Sequence, residues 1–229
     1  MSPVQAKILP MLPGLALSRD HVHHNVAGET GLEYMKGVDP VPKDLLVKAK
    51  TGTGKTMAFL IPSIEARLAQ LSSHTATTVA TATQAGTTLS PAEIALAEAT
   101  YARENVGTLI ISPTRELATQ IAVEAQNLTS HHKGWQVQVL LGGESKRMQL
   151  ASWHGDGGSG RYINDRRGNG GARMPSIKPG GRKDIVVATP GRLLDLINSE
   201  NGFKDAFKSC RLVRLLFSLF CGHKIGINV

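Results

Sequence analysis

The stretch Leu45-Leu46-Val47-Lys48-Ala49-Lys50-Thr51-Gly52-Thr53-Gly54-Lys55-Thr56 constrains this chain more than any other. An apolar run of strand character enters a glycine-rich turn, and the turn opens a helix through Met57-Ala58-Phe59-Leu60. Strand, glycine loop and helix in that order form the context a phosphate-binding loop requires. Gly52 and Gly54 permit backbone torsions closed to other residues, so successive N–H groups curl into a concave anion nest. The helix N-terminus adds the positive end of its dipole, and Lys55 brings a point charge to the β- and γ-phosphates. Thr56 offers a hydroxyl to magnesium, an ion that keeps most of its waters and takes few protein oxygens. The general pattern has glycine where this chain has Ala49. The Gly-Lys-Thr core, the strand and the helix remain, and the stretch reads as a nucleotide-phosphate site.

The chain on either side alternates strand and helix patterns. Val4, Ile8 and Met11/Leu12 have helical spacing, punctuated by Pro10 and Pro13. Gly14–Pro42 follows as a variable stretch. Its His21, His23 and His24 lack an acidic or cysteine ligand at supporting spacing, so a solvated loop is expected rather than a metal site. The helix after the glycine loop repeats Leu60, Ile64, Leu68 and Leu71 on one face, with Pro62 expected to kink it or loosen one turn. Ser72–Glu104 is a Thr/Ala-rich insertion. Ser72–Ser90 is too poor in apolar residues for a core element and is expected to be disordered, while Pro91–Ala99 has the pattern of a short surface helix capped by Ser90. Thr108–Ser112 reads as a buried strand stopped by Pro113, and Arg115–Leu128 as a helix with Leu117, Ile121, Ala125 and Leu128 on one face. Trp135–Leu141 is a strand ended by Gly142-Gly143, and Trp153–Gly181, rich in Gly and Arg, is expected to be a flexible insertion. Asp184–Ala188 is another buried strand, turned by Thr189-Pro190-Gly191 into a helix carrying Leu193, Leu194, Leu196 and Ile197.

Such alternation, with strands that are near-continuous apolar runs, predicts a parallel sheet covered by helices on both faces, an α/β fold. Ligands of such sheets bind outside the carboxyl ends of the strands. Lys55 and Thr56, Thr114 and Arg115, Gly142 and Gly143, and Thr189, Gly191 and Arg192 all sit just past a strand end, which predicts one functional rim.

With 229 residues there is room for one well-buried domain with long insertions. A formal charge of +8 suits an anionic partner such as nucleic acid, while aromatics at 4% exclude a module that reads single strands mainly by base stacking. Cys210 and Cys221 form neither a metal spacing nor a disulfide framework, which fits a reducing, intracellular compartment. The apolar run Leu212–Cys221 is too short for a membrane span and carries Arg214, and Met1-Ser2-Pro3-Val4-Gln5 reads as domain interior rather than a signal peptide.

These motifs together resemble the first RecA-like domain of a DEAD-box ATP-dependent RNA helicase. Ala49 through Thr56 matches that family's P-loop, including the alanine; Pro113-Thr114-Arg115-Glu116-Leu117-Ala118 matches motif Ia, Gly142-Gly143 the GG turn, and Thr189-Pro190-Gly191-Arg192 motif Ib. Ser2-Pro3-Val4-Gln5 is similar to the end of the Q motif. The resemblance covers residues 1–213 outside the insertions near 14–42, 72–104 and 153–181, leaves 214–229 as a tail of no family character, and within the family is strongest toward fungal-type organellar helicases. It implies a P-loop NTPase fold, a RecA-like three-layer α/β/α domain. It further implies that Gln5 bonds the adenine edge and that Ala49, Thr51, Gly52, Thr53, Gly54, Lys55 and Thr56 hold ATP, with Thr56 on magnesium. Thr114, Arg115, Gly143, Thr189, Gly191 and Arg192 would hold an RNA backbone, positioning a strand without reading its sequence. Glu116 and Glu144 are assigned no chemistry.

The departures bear on activity. After Cys210-Arg211-Leu212-Val213 the family continues into an Asp-Glu-Ala-Asp motif, whereas here Arg214-Leu215-Leu216-Phe217 follows and no Asp or Glu occurs from Arg211 to Val229. Phosphoryl transfer to water needs acidic groups around magnesium and a group that orients the water. No catalytic set is complete, and the expectation is a truncated first domain that binds ATP and RNA weakly without turnover. A non-hydrolysing nucleotide- or RNA-binding module is the alternative; an unrelated P-loop kinase is opposed by the Pro-Thr-Arg-Glu-Leu-Ala and Thr-Pro-Gly-Arg pair. Leu212–Phe220 is apolar enough to fill the family's central strand, with Arg214 as an intruder: it must either find a partner or leave the strand partly undocked, and the undocked case favours aggregation.

Overall fold

The computed structural model describes residues 2–12, 54–155, 181–210 and 212–215. A short helix α1 (Pro3–Ile8) passes into a 3-10 turn, Leu9–Met11. Helices α2 (Lys55–Gln84) and α3 (Pro91–Glu104) precede strand β1 (Thr108–Ile111), then α4 (Arg115–Thr129), β2 (Val137–Leu140), α5 (Lys146–His154), β3 (Ile185–Ala188) and α6 (Pro190–Ser199). A 3-10 turn, Phe203–Phe207, leads to β4 (Leu212–Leu215).

The four strands form one sheet in the order β2-β3-β1-β4, every pair parallel. Thr108 lies opposite both Ile185 and Leu212, and Val137 opposite Ile185, so the strands start level and end level. Alternation along the strands divides the core in two. Ile110, Ile185 and Val187 pack on one face with Leu60 and Ile64 of α2 and Ala118, Ile121 and Ala125 of α4. Leu109, Val186 and Ala188 pack on the other with Trp153 of α5, Leu193 and Leu196 of α6, and Phe203. Helices therefore cover both faces, the α/β/α layering expected of strands that are apolar throughout. The apolar stretch after Cys210 does enter the sheet, as β4 beside β1; the side chain of Arg214 lies outside the described residues, as do the strand at Leu45–Val47 and the three histidines near residue 21.

Three expectations require correction. Ser72–Gln84 is helical, not disordered: α2 runs unbroken through Pro62 to Gln84 and pairs with α3 as an antiparallel hairpin. His74 stacks on Tyr101 with ring centroids 4.0 Å apart, and the hydroxyls of Thr75, Thr77, Thr78, Thr81 and Thr83 each donate to the carbonyl four residues earlier. Threonine thus keeps its hydroxyl inside the helix, where a low-propensity segment gains support from its packed partner. Secondly, α3 extends five residues past Ala99, held at its start by a Ser90–Glu93 capping box. Thirdly, Trp153 belongs to the core: it is 3% exposed, ends α5, and stacks on Phe203 at 4.3 Å. On α6 the four apolar positions divide, Leu193 and Leu196 buried, Leu194 and Ile197 exposed.

At the amino ends of the strands lies a buried charge cluster. Asp184 accepts from Arg67 Nε at 3.0 Å, from Arg182 Nε at 2.9 Å and Nη2 at 3.1 Å, and from the Gln136 N–H at 3.1 Å. Arg67 also donates to Gln70 Oε1 at 2.6 Å and to the Asn105 carbonyl at 3.0 Å. Burial lowers the Arg67 pKa, and the adjacent carboxylate pulls it back up. Arg67 sits at core spacing within the Leu60, Ile64, Leu71 stripe, so the helix hairpin is tied to β3 by a charge rather than by packing alone.

Lys183 makes a second tie. Its ammonium donates to the carbonyls of Gly181 and Arg103 and lies 4.7 Å from the Trp153 ring centroid. Burial drives its pKa down from 10.5 to about 8, with Glu104 opposing and Arg103 adding to the fall. The unfolded chain then holds this proton more tightly than the folded one, so stability should rise as pH climbs from about 8 toward 10.5. The gain is expected to be on the order of 2 kcal/mol. Urea unfolding at several pH values, compared with Lys183→Met, isolates the effect. A wild-type curve parallel to that of the variant would contradict it.

Candidate nucleotide and nucleic-acid rim

Gly54, Lys55 and Thr56 are the described part of the glycine loop; Ala49, Lys50, Thr51, Gly52 and Thr53 lie outside the described residues. Gly54 caps α2 with φ 71° and ψ 25°, the left-handed conformation that favours glycine. Lys55 and Thr56 are the first two helical residues, at the positive end of a 30-residue helix. Gln5 stands against this turn. Its Oε1 accepts from the Ser2 N–H at 2.9 Å, closing the α1 capping box, while its Nε2 lies 3.5 Å from the Gly54 carbonyl. A Cβ at position 54 would approach that Nε2 to 2.6 Å, so the torsion favours glycine there and a side chain would also have to displace the Gln5 amide.

The other candidates follow β1, β2 and β3, whose level, parallel carboxyl ends place them on one side of the sheet. Thr114 caps α4, its hydroxyl accepting from the Leu117 N–H at 3.3 Å, and Arg115 is the first helical residue, exposed. The Arg115 guanidinium lies over the next turn, with Nη1 3.5 Å from the Gly142 carbonyl. Gly143 has φ 78°, and a Cβ there would meet Nη1 at 2.5 Å. Gly191, in the first turn of α6, has open space above it.

Thr189 and Arg192 have internal roles that the sequence did not disclose. The Thr189 hydroxyl accepts from the Gly142 N–H at 3.2 Å and approaches the Leu140 carbonyl at 3.4 Å; the residue is 8% exposed. Arg192 donates to Gln149 Oε1 at 2.7 Å and to the Glu144 carbonyl at 2.9 Å, with Asp195 3.7 Å away. The GG turn and the start of α6 are therefore bound to one another, and Arg115 is the rim arginine that remains exposed. Sequence reasoning passed over Gln149 because it lies in helix α5, which was not anticipated. Ser145 as N-cap and Gly155 with left-handed φ 84° as C-cap are signals that mark this helix.

Among the described residues, no group of His, Cys, Asp or Glu is arranged to hold a metal ion. Among the same residues, no helix is long and apolar enough to cross a membrane.

A parallel sheet with helices on both faces, a helix opened by Gly54-Lys55-Thr56 and three strand-end turns on one side is the layout of an α/β domain of the P-loop class. The DEAD/DEAH box helicase family profile matches residues 33–163, more than half of the chain. The chain belongs to the DEAD/DEAH box helicase family. It is 36% identical over 209 residues to DEAD-box ATP-dependent RNA helicase 48 of Oryza sativa subsp. japonica, covering 91% of this chain and 19% of that protein. To DEAD-box ATP-dependent RNA helicase 31 of Arabidopsis thaliana it is 34% identical over 178 residues, covering 76% of this chain and 17% of the relative. The chain spans 14–22% of the length of these and similar curated relatives. Among solved structures, the DEAD-box helicase Mss116 bound to ssRNA and UDP-BeF aligns with a TM-score of 0.46 at 22% identity, over 90% of this chain and 25% of that one.

Proposed function

We propose that this chain is the ATP- and RNA-binding first domain of a DEAD-box ATP-dependent RNA helicase. The observation that carries the proposal is the shared rim: the Thr114-Arg115 helix start, the GG turn and the Thr189 turn follow neighbouring strands on one side of the sheet, and the helix opened by Gly54-Lys55-Thr56 packs against the same sheet. Lys55, the P-loop backbone and Thr56 hold the triphosphate and its magnesium, with Gln5 at the adenine. Arg115, Thr114, Gly143 and Gly191 face one RNA strand, and Thr189 and Arg192 shape the surface that strand meets. ATP hydrolysis coupled to duplex unwinding is the activity proposed for the whole protein. Taken by itself the segment is proposed to bind without turnover, because residues 211–229 carry no carboxylate to organise magnesium or water.

The test is RNA binding by the 229-residue chain at several salt concentrations. Weak binding without base preference is expected, with a marked salt dependence from counterion release. Arg115→Ala should weaken binding equally for unrelated sequences and flatten the salt slope by about one unit. Tight preference for one sequence, indifferent to this change, would place the RNA surface elsewhere.

A further inference from the structure

We propose that Gln149 is the positioning residue of the RNA-facing rim, holding the GG turn and the start of α6 in one fixed relation. The inference rests on the RNA-binding reading above and deepens it. Gln149 is 5% exposed and lies on α5, between the two turns. Its Nε2 donates to the Leu141 carbonyl at 2.9 Å and to Glu144 Oε2 at 3.2 Å, gripping the residues immediately before and after Gly142-Gly143. Its Oε1 accepts from Arg192 Nη1 at 2.7 Å, and Arg192 Nη2 continues to the Glu144 carbonyl at 2.9 Å.

The amide is suited to this place because it alone offers two donors and an acceptor on one short planar group. A carboxylate could not donate to Leu141 and would face Glu144; an ammonium could not accept from Arg192. The consequence concerns shape. The Gly142 N–H is taken by Thr189 and the Gly142 carbonyl faces Arg115, so this glycine joins the turns after β1, β2 and β3. Gln149 and Arg192 fasten the same turn from beneath. With both in place, the backbone groups of the turn and of the α6 N-terminus are preorganised for a sugar-phosphate chain, and little ordering is left to binding. Gln149 touches no phosphate itself.

Gln149→Met keeps the length of the side chain and removes all three bonds. In the 229-residue chain, affinity for a single-stranded oligoribonucleotide is expected to fall roughly three- to tenfold, the effect of one or two ordinary hydrogen bonds. The salt slope should be unchanged, in contrast to Arg115→Ala. Combining Gln149→Met with Arg192→Ala should cost little beyond Arg192→Ala alone, since the two act as one unit. Phe203→Leu, a core change away from the rim, provides the comparison: it lowers the melting temperature and leaves RNA affinity intact. An RNA-independent reading is amide exchange at Gly142 and Gly143, expected to accelerate roughly tenfold or more in Gln149→Met. Should the wild-type chain bind no RNA, the functional reading fails, and the exchange measurement alone decides whether Gln149 positions the turn. Unchanged exchange in Gln149→Met, or equal loss of RNA affinity in Phe203→Leu, would overturn the proposal.

Discussion

Asp184→Ala is expected to lower the stability of this domain by about 3–5 kcal/mol, a large part of the roughly 5–15 kcal/mol that holds a typical domain together. The magnitude comes from what the change leaves behind. Arg67 is 1% exposed and Arg182 is 7% exposed, and Asp184 is the carboxylate within 3.0 Å of both. Without it Arg67 loses its carboxylate partner, Arg182 keeps only Glu98 at 3.6 Å, and the Gln136 N–H loses its acceptor. Breaking a buried pair from one side costs far more than the pair itself contributes. Asp205 provides the control: it pairs with Lys208 at 2.9 Å on the surface, where solvent screens the charge, and Asp205→Ala should not change stability measurably. Urea unfolding of the three proteins decides the matter. Similar midpoints for the two variants would mean that the cluster is solvated or rearranges freely. Since Asp184 lies at the amino end of β3, whatever fraction of the variant stays folded should still bind nucleotide.

Lys55→Ala should reduce affinity for ATP or ADP about tenfold to a hundredfold, the loss of one charge-assisted contact worth roughly 1.5–3 kcal/mol. The backbone argument sets the upper bound. Gly54 in its left-handed conformation and the first turn of α2 still present N–H groups and a positive dipole end to the phosphates after the side chain is gone. Residual binding is therefore expected, not abolition. Titration of a fluorescent ATP analogue measures the change. Equal affinity in wild type and variant would remove Lys55 from the phosphate site and with it the assignment of this turn.

Much of the fold is local and was legible. Ile185–Ala188 and Thr108–Ile111 announce themselves as short apolar runs, Ser90 as a cap, and Gly142-Gly143 as the end of a strand. Such signals act over one or two turns of chain, so a sequence displays them directly. The same locality predicts the rim, because parallel strands joined by helices must all finish on one side.

The sequence by itself thus determined the class of fold, the family and the placement of Thr114, Gly142, Gly143 and Thr189 just past strand ends. Tertiary structure alone decided three further matters. Ser72–Gln84 is helical because α3 lies beside it: its five threonines and two serines lower its helix propensity, and the stacked His74–Tyr101 pair appears only when the hairpin closes. Arg67 is a core residue because Asp184, 117 positions away in the chain, neutralises it there. Arg192 turns inward because Gln149 and the Glu144 carbonyl offer it acceptors there. In each case the energy that selects the conformation belongs to a contact between distant segments, and periodicity, caps and motifs carry no record of which distant partner a residue will meet.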